Sequence, residues 1–348
     1  MRHAAMPAGL ALLIGLASGI TGFLIGMPLP WMLGSMLGVT IAALAHLPIA
    51  GPEPLRPVVV PVIGVMLGSS ITAETLQQLG QWSTTILILP LALIGAAGAS
   101  FAVYRRIGGY DPVTAFYCAM PGGLNEMLLM GAAEGGDERR IALAHAARVL
   151  MVIFLVALFF GVFMGARTGV GGPSWTALTD LTVVDYLILA ACAALGVPLA
   201  KQLRLPAAPV FGPLILSGAT HVLGWVTVAP PTLVIVVAQI VVGTIIGTRF
   251  IGATLRELGR DLALACLATL LMLIAALAVA VLLTVLITVP LSQAFLAYAP
   301  GGLTEMALLT LAIDQDVAFV SVTHIVRIAL VIAIAPAVFN LLRKRLLR

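Results

Sequence analysis

A seven-residue pattern occurs twice in this chain, and it constrains the fold more than any other feature. Pro121-Gly122-Gly123-Leu124-Asn125-Glu126-Met127 returns 179 positions later as Pro300-Gly301-Gly302-Leu303-Thr304-Glu305-Met306. At the same offset, Asp137, His145 and Arg148 return as Asp316, His324 and Arg327. The chain is therefore two copies of one unit. Each copy sets a Pro-Gly-Gly break, a carboxylate, an imidazole and a guanidinium inside very apolar sequence. Charges in hydrocarbon are costly and mark function by default.

Of the 348 residues 61% are hydrophobic and only 9% charged, against ~25% charged in soluble domains. Apolar runs broken by short polar joints fill nearly the whole length, which reads as an all-α polytopic membrane protein. A membrane barrel would need alternation in ~10-residue segments, and none is visible. The first apolar run, from Ala8, reads as the first span of the bundle rather than as a signal peptide. Cys118, Cys192 and Cys266 are isolated in apolar sequence and read as packing residues. No cofactor or metal is expected, and the chain is not expected to be an enzyme.

Twelve apolar segments can be counted: 8–26, 30–47, 57–73, 83–104, 112–133 and 140–165, then 184–200, 208–226, 230–248, 262–288, 290–313 and 318–342. The duplication extends to Gly64, Gly68, Thr75, Leu76, Leu79 and Gly80, which align with Gly243, Gly247, Thr254, Leu255, Leu258 and Gly259. Charge decides the topology. With the fifth and eleventh segments as re-entrant hairpins and the N-terminus inside, 15 Lys and Arg residues are cytoplasmic and only Arg167 is outside. Twelve full spans give 9 against 7. Loops that are basic in one copy are neutral in the other: Arg139 and Arg140 align with Ala318 and Phe319. The expectation is two inverted repeats, each of about five transmembrane helices plus a re-entrant hairpin or broken helix. Repeat 1 is residues 1–167, the linker 168–183 and repeat 2 residues 184–348, forming one integrated domain in a bacterial inner membrane with both termini cytoplasmic. Glycine pairs four apart, such as Gly15/Gly19, Gly34/Gly38, Gly64/Gly68 and Gly243/Gly247, read first as close helix packing.

Pro121 and Pro300 disfavour helix at the residue before them, and the glycines after them permit many backbone angles. The break falls about nine residues into its segment, ~13 Å deep if helical and near the midplane of a ~30 Å core. Such backbone is tolerated only within protein or beside water. A second half-helix then begins, with its free N–H groups and positive dipole end at the break. The candidate substrate- or ion-binding residues are Pro121, Gly122, Gly123, Asn125, Glu126, His145 and Arg148 in the first copy. Their counterparts are Pro300, Gly301, Gly302, Thr304, Glu305, His324 and Arg327. His145/Arg148 and His324/Arg327 are i, i+3 pairs and share a helix face. The depths predict that Glu126 pairs with Arg148 and Glu305 with Arg327, or that the pairs cross between copies. Asp137 and Asp316 read as helix N-caps.

PGGLNEM and APGGLTEM, with the trailing HAAR and HIVR, resemble the AbrB-duplication membrane protein family, over essentially the whole chain. Members are labelled ammonia monooxygenases or AbrB family transcriptional regulators. The residues fit neither chemistry directly. Copper oxygenation needs clustered imidazoles, and the five histidines form no such pair. DNA binding needs a basic reading module, and no polar stretch is long enough to fold one. Inverted repeats with midplane breaks are similar in architecture to secondary carriers. The expected function is transport of a small anionic or zwitterionic solute, coupled to H⁺ or Na⁺ through the glutamates. The alternative is a membrane-embedded ligand sensor that affects gene expression indirectly. The expected partners are that solute, a coupling cation, the lipid bilayer and a second copy of the chain, with no direct nucleic acid.

Overall fold

A computed structural model describes residues 2–27, 29–72, 82–163, 175–205, 207–252, 255–287 and 289–346. Arg167, the first part of the linker, Asn125's side chain and the Thr75–Gly80 stretch of the repeat lie outside what is described. Among the described residues every regular element is a helix. In the first copy these are α1 (Arg2–Leu24), α2 (Ser35–Leu44, entered through a wide turn over Pro30–Gly34), α3 (Arg56–Gly68), α4 (Trp82–Ala102), α5 (Pro112–Ala119), α6 (Leu124–Ala133) and α7 (Glu138–Phe163). The second copy supplies α8 (Val183–Gln202), α9 (Ala208–Val222), α10 (Thr232–Gly247), α11 (Leu255–Ile287), α12 (Leu291–Tyr298), α13 (Leu303–Ala312) and α14 (Val317–Leu346). Both ends of α5 and α6 match those of α12 and α13 at the 179-residue offset, and α7 starts in register with α14. Even the stop is shared. Gly135 after α6 and Asp314 after α13 both take positive φ, 85° and 54°.

Among the described residues, seven helices are long and apolar enough to cross a membrane: those within 6–24, 82–107, 138–160, 183–202, 232–250, 259–287 and 317–341. The expected second, third and eighth spans are shorter, at Pro30–Leu44, Arg56–Gly68 and Ala208–Val222. The 13 residues of α3 reach only about 20 Å. Prolines at their entries, Pro30, Pro57 and Pro209, and left-handed residues at Leu29, His46 and Ala207 set the limits of these helices. Short helices of this kind are tolerated where other helices surround them.

The contacts divide the chain into two units, each drawing on both sequence copies. The first comprises Met1–Leu79, Phe154–Ala253 and Thr304–Ala318. Its helices pack through the glycine pairs. A methyl group on Gly64 would strike the Val210 carbonyl, and one on Gly68 the Leu214 carbonyl. The duplicate helix repeats this against the other copy: Gly243 faces the Met32 carbonyl and Gly247 that of Met36. So α3 lies along α9 and α10 along α2, each pair advancing in the same direction. Gly34 and Gly38 of the α2 region meet Ser18 of α1. The small-residue stripes are close-packing seams, as expected. Gly64→Leu or Gly243→Leu should cost at least ~1–3 kcal/mol by overpacking, since a backbone carbonyl cannot yield. Gly95→Ala, in α4 with open space beside it, should cost nothing. Thermal midpoints of the purified variants check both.

The second unit comprises Gly80–Ile153, Thr254–Leu303 and Phe319–Arg348. Phe116, Tyr117 and Phe339 form its aromatic centre, with ring centroids 5.2–5.5 Å apart. At one end Tyr110 accepts from Arg105 at its carbonyl (3.0 Å) and carries the Arg140 guanidinium over its ring (4.7 Å). Arg260 reaches the neighbouring Gly108 carbonyl at 3.0 Å. The basic stretches before α5 and after α6 therefore share one end of this unit.

Candidate functional site

α5 and α6 form a hairpin. Asp111 caps the start of α5 through the Thr114 N–H (2.9 Å). Thr114 then accepts from the Asp137 N–H (2.8 Å), just beyond α6. Where Gly131 and Gly136 follow α6 down, added methyl groups would touch Tyr117 and Val113 of α5. The two ends of the segment meet, so this stretch cannot carry the chain across a bilayer. Asp137 also caps α7, accepting from the Arg140 N–H (3.1 Å), which is the role its position predicted.

The backbone between the half-helices is extended. Met120 has φ −66°, ψ 126° and Gly123 φ −66°, ψ 141°. The Gly123 angles are open to any residue, so the conformational freedom read from its sequence is not what this position uses. Both Gly122 and Gly123 supply space. A Cβ at Gly123 would collide with the Glu126 carboxylate, and one at Gly122 would lie 2.9 Å from Val331 and 3.0 Å from Met127. Glu126 folds back over the opening turn of α6, where the dipole and unpaired N–H groups favour an anion.

The arginines do not take the expected partners. Arg148 donates Nη1 to the Met120 carbonyl (3.0 Å) and Arg327 donates Nη1 to that of Ala299 (2.7 Å). Each reaches a second carbonyl with Nη2, Gly122 at 3.5 Å and Gly301 at 2.6 Å. His145 Nε2 bonds the Tyr117 carbonyl (2.9 Å) and His324 Nε2 that of Leu296 (3.0 Å). Every partner obeys the 179-residue offset. The Glu126–Arg148 ion pair is thus not formed, and Arg327 likewise spends its fork on backbone. The reason is local. A broken helix leaves carbonyls without partners at the end of its first half, and in a water-poor interior their desolvation outweighs a distant carboxylate. Cations finish α5 and α12, and a carboxylate opens α6.

The copies differ in one respect. Arg148 Nη2 lies 2.7 Å from His145 Nδ1. Because Nε2 must donate to a carbonyl, His145 is held as the Nε2–H tautomer and Nδ1 accepts. In the second copy Arg327 grips Gly301 instead, and His324 Nδ1 has no hydrogen-bond partner. Both arginines are almost wholly buried, 5% and 3% exposed, and both Nε atoms are unpartnered.

Pro121 and Pro300 border one small cleft within the second unit, together with Arg327, Tyr298 and aliphatic side chains of α4 and α11. At ≈ 10 Å³ it has room for about one water. Glu305 belongs to the first unit, where the charges acting on its carboxylate are those of Arg249 and Arg56. Sequence reasoning treated both arginines only as loop charge. The signal was available, because Arg249 aligns with Ser70 and so sets the copies apart. Thr304 stands in the first turn of α13.

Comparison with known proteins agrees with the duplicated motif. The family model described as transition state regulatory protein AbrB matches residues 31–343. The uncharacterised protein YhjN of Bacillus subtilis (strain 168) is 26% identical over 300 residues, 81% of this chain and 77% of its own length. A protein of Escherichia coli (strain K12), named as a candidate regulator, AbrB, is 23% identical over 321 residues, 91% of each chain. With the match running through both breaks and both His-Arg pairs, this chain belongs to the AbrB family.

Proposed function

We propose that the protein is a secondary transporter of a small anionic or zwitterionic solute in the bacterial inner membrane, working by alternating access between inverted copies and coupled to H⁺ or Na⁺. The observation that carries this reading is the meeting of both Pro-Gly-Gly breaks at one cleft with a buried guanidinium on its wall. Irregular backbone from two duplicate segments, converging at one point, is how inverted-repeat carriers build a solute site.

The helix directions support inversion. α3 advances with α9, and α10 with α2. Gly51, between α2 and α3, lies against Thr248 at the end of α10. α3 thus starts where α10 stops and runs against it, so α2 and its duplicate α9 point opposite ways. The shared end of the Arg105 and Arg140 stretches supports hairpins with a cytoplasmic basic face. Cysteines placed at 106 and 139 should label from the cytoplasmic side in intact cells, and labelling from opposite sides would sink this topology.

The test of transport is solute flux into proteoliposomes under an imposed proton or sodium gradient. The second reading, a ligand sensor acting on expression through a partner, is favoured by the regulator names of the family and of the Escherichia coli relative. Specific ligand binding with no flux in either gradient would select it.

A further inference from the structure

Beside the cleft at the two breaks lies a second space in the same unit, a groove of ≈ 130 Å³ whose lining is wholly apolar. The two share Leu93 of α4 and Pro121 of the first break. The groove continues along Ile94 and Ala97 of α4 to Ile334 of α14. Its volume is close to the ~150 Å³ of an apolar cavity that binds benzene. Across this shared wall the cleft carries a buried arginine, and the groove carries only hydrocarbon.

The chemistry of the polar end is narrow. Arg327 is 3% exposed, and its Nε–H has no partner. Tyr298, the other polar side chain on the cleft wall, already donates its hydroxyl proton to the Thr85 carbonyl at 2.5 Å. Among the described residues no carboxylate lines either space. The break carbonyls nearest Arg327, those of Ala299 and Gly301, already accept from it. An ammonium group would find no anion here and no unengaged acceptor in that set. A sugar or an inorganic dianion would need more donors than one guanidinium edge offers.

Resting on the transport reading of this site, we propose that the solute is a monoanionic carboxylate with a compact apolar body, aromatic or branched, and not a zwitterion. The carboxylate meets Arg327 at the cleft, which must widen beyond its present room for about one water, and the body lies past Pro121 and Leu93 in the groove.

The experiment uses the full-length purified protein in detergent and reads its thermal midpoint with added benzoate, isovalerate, benzamide, acetate, glycine or phosphate. Benzoate and isovalerate should raise the midpoint, while benzamide, glycine and phosphate should not. Ala97→Phe, which fills the groove, should weaken benzoate at least about tenfold and leave any acetate effect unchanged. Ile94→Phe narrows the same groove from a position 70% exposed, and serves if Ala97→Phe does not fold. An equal shift with benzamide, or a shift with glycine or phosphate in place of benzoate, overturns the assignment. Groove-dependent benzoate binding without benzoate flux upholds the ligand class and removes transport. Flux of a hydrophilic solute that neither groove variant alters keeps transport and removes the ligand class.

Discussion

Arg327→Ala should be among the most destabilising single changes in this protein. It removes two hydrogen bonds from a buried guanidinium to carbonyls, at 2.7 and 2.6 Å, and leaves both acceptors inside protein with nothing to replace them. At ~1.5–3 kcal/mol for each bond from a charged donor the loss is about 3–6 kcal/mol, a large part of the ~5–15 kcal/mol that holds a domain together. Arg148→Ala should cost a similar amount, because its long second carbonyl contact of 3.5 Å is offset by the 2.7 Å bond from Nη2 to His145 Nδ1. Arg327→Lys should recover only part of the loss, since a point charge cannot bridge two carbonyls as a planar fork does. Unfolding in mixed micelles measures all three. Because the Glu126 carboxylate lies over its own helix opening and not on Arg148, Arg148→Ala and Glu126→Gln should be additive within ~0.3–0.5 kcal/mol. A coupling well above that would restore the ion pair.

Glu126→Gln and Glu305→Gln should each reduce gradient-driven flux to background while the proteins still insert and fold. The carboxylate at the opening turn of a half-helix gains only ~0.3–1 kcal/mol from the dipole, and an amide of the same shape keeps most of the local geometry. Stability should therefore fall little while ion coupling is lost. Glu305 is desolvated by burial and has Arg249 and Arg56 acting on it, so Glu305→Gln removes a desolvation cost along with two attractions and should be no less stable than Glu126→Gln. Gradient-dependent flux that survives in both variants would remove the glutamates from coupling.

Much of the architecture was legible because the duplication is spelled out in the residues. The offset read from Pro121 and Pro300 predicts the limits of four half-helices, and the charge count anticipates the closed α5–α6 hairpin. The Glu–Arg pairing was not legible. The sequence names side chains and depths, and it is silent on which carbonyls a break leaves unpaired. Those carbonyls outcompete the glutamate for Arg148. Gly123 shows the same limit: its letter suggests freedom of angle, and its neighbour Glu126 shows that it supplies room. The shortness of three helices was not legible, because apolar runs such as 57–73 continue past the residues that end the helix.

Neither sequence copy contains a whole contact unit, and this bears on how the protein is made. The Ser217 hydroxyl bonds the Val65 carbonyl, 152 residues away, and the glycine face of α3 is covered only by α9. At ~5–20 residues per second a ribosome needs roughly 8–30 s to supply that cover. During this interval the nascent first half holds α3 without its partner. Release of the first half alone should therefore give a proteolysed fragment. Simultaneous synthesis of the two halves as separate chains should rescue it, because each supplies the missing wall of the other.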